Sequence, residues 1–468
     1  MLTQEPAQFI KTFVIAVNIA LGKSSPGEKL TASQAAWLGF CLTGILLTNS
    51  VCWAKFERAS LGRYRVSALS WVFRHAKIAW ASLFVASVRL VLERHGITKG
   101  TLVIDESDRL RSKKTSRIEG TYKQKHKPSG GYVKGQTVMV LLLVTPTVTI
   151  PVGFTFYQPD PTWTAWAKED KRLKKAGVAK RDRPVRPERD DRYPTKTELG
   201  LQLLQQFKNT HGAITVNAVL ADCLYGKGRF MDQASQIFNG CQVISQLRKT
   251  QNMEYRGKKR NLEPYFNTIN PGVPTTVQIR GGKIEQATFS SARLKVVAHG
   301  KKRFVIALKY EGESDYRYLV ATDMTWRTQD VIQAYTLRWL VEVFFEDWKL
   351  YEGWGQEAKQ LDEEGSSRGL ILSLLLDHCF LLHPEQMARI ENKQPACTVG
   401  SLQRKSQVEA LLEFIQSVLN DNKPAEKLKQ FAELVDDVFQ LKPSGKHMVG
   451  RDLGRIGPTP SLYYRAAG

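Results

Sequence analysis

None of the six cysteines in this 468-residue chain forms a Cys-x-x-Cys pair. Cys41, Cys52, Cys223, Cys241, Cys379 and Cys397 are scattered, most of them inside apolar runs. That pattern excludes a zinc ribbon and a disulfide framework, and reads as buried free thiols in a reducing compartment. No basic, apolar and small-residue segment opens the chain, so no secretory leader is expected and the protein reads as cytoplasmic. Internal repeats are lacking, as is a Gly-rich phosphate loop: Gly226-Lys-Gly228 is too short and has no Ser or Thr after it. The apolar run from Ala35 to Trp53 contains Gly39, Thr43, Gly44, Thr48, Asn49 and Ser50, which favours a buried core helix over a membrane span. Acidic side chains are in deficit, with 45 Asp and Glu against 68 Lys and Arg and a formal net charge of +23. Such a surplus points to a polyanionic partner, and nucleic acid is the first candidate.

The length suits two or three domains. Residues 1–98 read as helices, with apolar spacing from Ala32 to Leu47, Val51 to Ala59, a stretch after Arg63-Tyr-Arg65 to His75, and Ala79 to His95, where Gly96 is a natural stop. A Gly-containing turn near Arg63, Arg65, Arg74 and Lys77 suits a helix-turn-helix, and a plain helical bundle fits the same pattern. From residue 99 the texture becomes α/β. Thr101 to Ile104 is an apolar strand ending in Asp105. A basic loop from Arg109 to Lys134 carries Lys113, Lys114, Arg117, Lys123, Lys125 and Lys127. Thr137 to Thr145 and Val148 to Tyr157 form a hairpin. The charged segment Trp163 to Lys196 is too long and polar for a simple connection, so it is functional or disordered. A helix from Thr197 to His211, a strand from Ala213 ending in Asp222, a helix from Arg229 to Ile237 and a strand from Gln242 to Leu247 follow. The expected division is therefore 1–98 helical and DNA-binding, 99–247 the first part of an α/β core, 248–325 a β-rich insertion, 326–360 the second part of the core, and 361–468 helical with a basic tail.

The densest signal is Tyr335-Thr-Leu-Arg338-Trp-Leu-Val-Glu342-Val-Phe-Phe-Glu346-Asp-Trp-Lys349. At about 100° per residue, Tyr335, Arg338, Glu342 and Lys349 project within roughly a 60° arc of a helix. Leu337, Leu340, Val341, Phe344, Phe345 and Trp348 make the apolar face. A carboxylate set between two cations suits a metal-bound group beside phosphates. Asp105 and Asp222 each end an apolar strand, which usually only begins a turn. Together with a helical Glu, however, they can surround hard divalent cations, and no His/Cys cluster competes. Glu106 should point to the opposite side of the strand from Asp105, Asp108 suits a supporting place behind it, and Glu346 rivals Glu342 for the metal.

These residues resemble the bacterial cut-and-paste insertion-sequence transposases of the DDE class, in the branch with a Y-x2-R-x3-E-x6-K signature. Tyr335, Arg338, Glu342 and Lys349 match it without a shift. Leu102-Val-Ile-Asp105-Glu-Ser-Asp108 and Val219-Leu-Ala-Asp222-Cys-Leu-Tyr225-Gly226 resemble the family's strand-end motifs. The resemblance covers about Thr101 to Gly353 and implies a ribonuclease-H-like mixed sheet interrupted by a β-rich insertion. It also implies that Asp105, Asp222 and Glu342 hold two Mg²⁺ ions, with Mn²⁺ able to substitute, and that Tyr335, Arg338 and Lys349 grip phosphates. The implied partners are transposon terminal inverted repeats and target DNA, with a homodimer on DNA, no membrane, and a nucleoid-associated location. The implied reaction is end cleavage and strand transfer, with a hairpin on the transposon end consistent with this branch. Some members flip a base onto an aromatic of the insertion, for which Tyr255, Tyr265 and Trp326 are available. A structure-specific nuclease and a non-catalytic DNA-binding descendant remain as alternatives.

Overall fold

The computed structural model describes residues 5–111, 118, 120–125, 130–356 and 362–439. Five helices come first: α1 (Gln8–Ser24), α2 (Ala32–Thr48), α3 (Trp53–Ala59), α4 (Val66–His75) and α5 (Trp80–Arg94). The apolar spacing that identifies the later four does not single out α1, whose buried side is only the stripe Ile10, Phe13, Val14, Val17 and Leu21. Thr31 and Gln34 close a reciprocal cap at the start of α2, which fixes where that helix begins. Ten residues of α2, from Trp37 to Leu46, are buried, as expected of a core helix. No single described helix is long and apolar enough to cross a membrane.

The strands form one twelve-stranded sheet. Its first half comprises β1 (Lys99–Leu110), β2 (Tyr122–Lys125), β3 (Tyr132–Val144), β4 (Thr149–Tyr157), β5 (Thr215–Ala221) and β6 (Gln242–Leu247). β4, β3 and β1 run antiparallel in sequence, whereas β5 joins β1 in parallel and β6 joins β5 in parallel. This is the ribonuclease-H-like arrangement. The helices α6 (Pro161–Lys175), α7 (Lys196–Thr210) and α8 (Gly228–Ile237) lie in its crossovers. Leu102 to Ile104 and Val138 to Leu143 are 0% exposed, because both sheet faces are covered. Alternation along β4 shows by what: a Cβ on Gly153 would stand 3.5 Å from Leu203 of α7, while the next residue, Phe154, meets Phe84 of α5 at 5.8 Å.

The second half of the sheet is β7 (Asn252–Tyr255), β8 (Lys258–Asn261), β9 (Val273–Gln278), β10 (Ile284–Val296), β11 (Lys301–Tyr310) and β12 (Arg317–Ala321), with a one-turn helix α9 (Leu262–Pro264) between β8 and β9. β12 pairs antiparallel with β6, so the β-rich segment extends the core sheet. Then come α10 (Thr328–Thr336), a 3-10 turn (Leu337–Trp339), α11 (Leu340–Leu350), α12 (Glu363–Leu381), α13 (Pro384–Glu391), α14 (Val399–Leu419) and α15 (Pro424–Val438). α12 packs on α5 and α2. His378 of α12 is buried between them and the sheet: its Nε2 donates to the Pro151 carbonyl at 2.9 Å and its ring stacks on Phe84. Burial pushes that imidazole down to about 4, so it is neutral at physiological pH.

Three expectations change. The charged segment after β4 is ordered: Asp160 caps α6 and Pro161 occupies its first turn. β1 does not end at Asp105 but continues to Leu110, because β3 pairs with it along that whole length. What ends at that level is β5, whose pairing with β1 stops at Ile104 opposite Ala221. Finally, the signature helix is not one regular helix, since a 3-10 turn with ψ near −20° tightens it at Leu337–Trp339.

Candidate active site

The strand pairing sets the first two carboxylates side by side. Ile104 is opposite Ala221, so Asp105 and Asp222 are the next residue on each of two neighbouring parallel strands. Asp222 leaves the ladder and accepts the Leu224 amide at 2.8 Å as the cap of the 3-10 turn Cys223–Tyr225, while Ser245 donates to its carbonyl at 2.6 Å. Asp105 stays in the ladder and is buried. Burial pushes its carboxyl up to about 7, with Asp222 and Glu106 adding to the rise, and the Glu106 amide and Arg338 opposing it.

Alternation along β1 then divides the labour. Ile104 faces α7, where a Cβ on Gly200 would lie 2.9 Å from its Cδ1. Glu106, on the same side, accepts from Lys196 of α7 at 2.6 Å and from the Tyr225 hydroxyl at 3.2 Å. Tyr225 belongs to the turn that Asp222 caps, so this contact braces the two aspartate motifs against each other. Asp105 points the other way and accepts from Arg338 Nη1 at 2.7 Å. The same nitrogen is 3.7 Å from Glu342 Oε1 at the start of α11. Asp108 accepts from Thr137 and Gln124. Glu342 and Asp108 both hold the Lys349 ammonium up against partial desolvation, which lowers it overall. Tyr335 donates to the Ala221 carbonyl at 3.3 Å, next to Asp222, and burial raises its hydroxyl.

Behind the site, aromatic packing fixes α11 to β1. Trp348 stacks on Trp354 with centroids 4.7 Å apart, its indole N–H donates to Ser373 at 2.6 Å, and Trp354 reaches Ser107 at 3.4 Å. Asp105, Asp222, Glu342, Tyr335, Arg338 and Lys349 are thus gathered at one place. Arg63 and Arg65 are not: both lie between α3 and α4, Arg63 beside Glu5 at 3.4 Å and Arg65 beside Glu57 at 3.9 Å. Lys125 is exposed on β2. Lys113, Lys114, Arg117 and Lys127 lie outside the described residues. Glu346 is exposed on α11.

Among the described residues, no three His, Cys, Asp or Glu side chains stand close enough together to enclose a metal ion, and the Arg338 guanidinium lies against both Asp105 and Glu342. The donor chemistry nevertheless fits a hard dication: the set is carboxylate oxygen only, and the one buried carboxyl is raised chiefly by its own desolvation and then by its acidic neighbours, a cost that a cation offsets.

Beside this centre is a cleft of about 390 Å³ between α10 and the insertion, lined by Arg280, Lys283, Tyr310, Arg317, Arg338 and Trp339. Trp339 is 50% exposed and its ring lies 5.6 Å from the Arg280 guanidinium. The aromatics first considered for stacking are occupied elsewhere: Tyr265 is buried against Tyr255 at 5.3 Å, and Trp326 is half-buried against the core. Trp339 was missed, although it falls about 40° from Tyr335 on the polar face of the helix, where a tryptophan is out of place.

A family model described as DDE superfamily endonuclease matches residues 28–279, a span that includes Asp105 and Asp222 and ends before Glu342. No curated protein matches the chain. Among solved structures, a cryo-EM structure of piggyBac transposase synaptic complex with hairpin DNA covers 98% of this chain and 88% of its own, at 10% identity and a TM-score of 0.43. With the family match extending over more than half its length, the chain belongs to the DDE superfamily endonucleases.

Proposed function

We propose that this endonuclease is a transposase, which binds terminal inverted repeats, cleaves the DNA and joins the freed 3′ ends to a target duplex. The observation that carries the reading is the Arg338 contact with both Asp105 and Glu342. It joins the signature helix to the strand aspartates at one centre. Asp105, Asp222 and Glu342 would hold two Mg²⁺, with Mn²⁺ able to substitute; bound ions supply Lewis acidity and an activated oxygen for phosphodiester attack. The chain's own residues do the positioning. Arg338 can fork onto a phosphate, Lys349 acts as a point charge, and Tyr335 orders the backbone that carries Asp222. Trp339 and Arg280 offer a stacking platform for an extruded base. Arg63, Arg65, Lys113, Lys114, Lys125 and Lys127 are assigned to the DNA backbone, and a second copy of the chain would hold the paired end.

The test is incubation of the chain with the inverted repeats that flank its gene, in Mg²⁺. Strand-transfer products support the proposal. Cleavage without joining favours a structure-specific nuclease, and binding alone favours a non-catalytic descendant.

A further inference from the structure

The arm between β4 and α7, residues 158–195, is folded on itself rather than on the core. None of the described residues of α6 is buried. Its inner face nonetheless has specific partners in the returning chain. Trp163 lies 4.8 Å from Trp166 and beneath the Arg186 guanidinium at 4.3 Å, Trp166 donates to the Pro184 carbonyl at 2.9 Å, and Arg183 pairs with Asp170 at 2.9 Å. The root is clamped by Arg189 on Glu198, which also closes the cap of α7. On the opposite face, Lys168, Lys171, Arg172 and Lys175 recur at i, i+3, i+4 and i+7 within roughly a 100° arc and about 10 Å of helix. All four are exposed. Arg172 pairs with Glu169, which Lys168 also attracts, and among the described residues no acid is paired with Lys171 or Lys175.

A surface helix normally turns charges of both signs to water, to support itself by i, i+4 pairs. Here one sign fills the stripe, and a separate set of contacts holds it facing outward. A membrane-surface helix would need its aromatic side free to enter lipid, but Trp163 and Trp166 are engaged by the arm itself. The root of the arm is tied to the strand that carries Asp105, on that strand's opposite side. Lys196, the first residue of α7, bonds Glu106 beside Asp105 and lies 5.2 Å from the Tyr157 ring at the end of β4. The arm therefore projects from the α7 side of the strand whose other side carries Asp105.

We infer that the arm is a separate double-stranded DNA contact, in which Lys168, Lys171, Arg172 and Lys175 lie against the phosphate backbone. The inference rests on the DNA-directed reading of the active site, and its test separates the two. The full chain and the variant Lys168→Ala, Lys171→Ala, Lys175→Ala are titrated with a random-sequence duplex across a salt series. The slope of log K against log salt should fall by about 3 in the variant, with binding weakened roughly tenfold or more near physiological salt. The melting temperature should not change, because the three side chains are exposed. Trp166→Ala, which loosens the inner face without removing a cation, should weaken the same binding by a smaller factor. An unchanged slope and affinity in the triple variant overturns the inference. So does a loss confined to anionic vesicles or to an acidic protein probe. If the arm-dependent slope is found but neither cleavage nor joining occurs, only the transposase reading falls. If the chain cleaves and joins with its slope unaltered, only the arm assignment falls.

Discussion

Two groups of carboxylates flank α11, and they are neutralised in opposite ways. At the sheet edge, the Arg338 guanidinium stands between Asp105 and Glu342, Asp222 lies beside Asp105, and the group faces solvent on the Glu342 side, where 47% of the side chain is exposed. Behind α11, Glu352 and Asp377 are buried against each other, and among the described residues no cation is paired with either. Burial raises both groups and Asp347 adds to the rise; Asp377 lifts Glu352 further, whereas the hydrogen bond with Glu352 opposes the rise of Asp377, which is pushed up to about 8. Carboxyls so placed are neutral because they carry protons. The first group holds negative charge that a cation can take up; the second is a core contact made of acids. Local acid density therefore does not identify a metal site: access and the nearest cation do.

The largest effect that would sharpen this contrast is on chemistry. Asp105→Asn and Glu342→Gln should each abolish Mg²⁺-dependent cleavage while leaving duplex affinity within a few-fold of wild type, and normal cleavage by either variant would sink the site assignment. Asp377→Asn should leave cleavage nearly unchanged. Next is the brace. Tyr225→Phe removes the hydroxyl that ties the Asp222 turn to Glu106, and cleavage rate should drop by roughly tenfold, as for other groups that orient a ligand from behind; an equal loss of duplex affinity would show a binding role instead.

Stability against pH comes third. Asp377 has a folded pKa far above the ordinary carboxyl value, so its contribution is full below about pH 4 and is lost as pH climbs through about 8. Thermal melts should show the wild type lower by about 5 °C or more at pH 9 than at pH 6, and the dependence should flatten in Asp377→Asn. A variant with the same pH dependence would mean that the pair does not share its proton as described. The smallest effect is Ser373→Ala, which strands the buried Trp348 indole N–H and should cost about 1–3 kcal/mol in denaturant melts.

Much of the site was legible because its residues sit where periodicity is strong. The continuous apolar runs before Asp105 and Asp222 mark strands buried on both faces, and the run from Leu337 to Trp348 marks one side of a helix. Parallel pairing then brings the two aspartates level. What was not legible depends on partners distant in sequence. Nothing near Asp105 says that β3 will carry β1 five residues further, or that Arg338 will meet it across 233 positions. The arm after β4 read as functional or disordered because its composition is polar, and only Trp163, Trp166, Arg183 and Arg186 folding together give it a fixed shape. Trp339 was hidden for the converse reason: a tryptophan in a helix suggests core, and exposure is a property of the surroundings.

The sequence by itself determined the residue chemistry: an excess of cations suited to a polyanion, an oxygen-only donor set, the α/β alternation and the amphipathic signature helix. These are local properties, set by side-chain type and by the two backbone periods of 2.0 and 3.6. Tertiary structure decided which carboxylates share a solvent-facing centre and which share a proton in the core, where the helix tightens, and which way the basic stripe of α6 looks. Those depend on burial and on contacts between distant segments, and desolvation acts on a carboxyl only once the fold has closed around it.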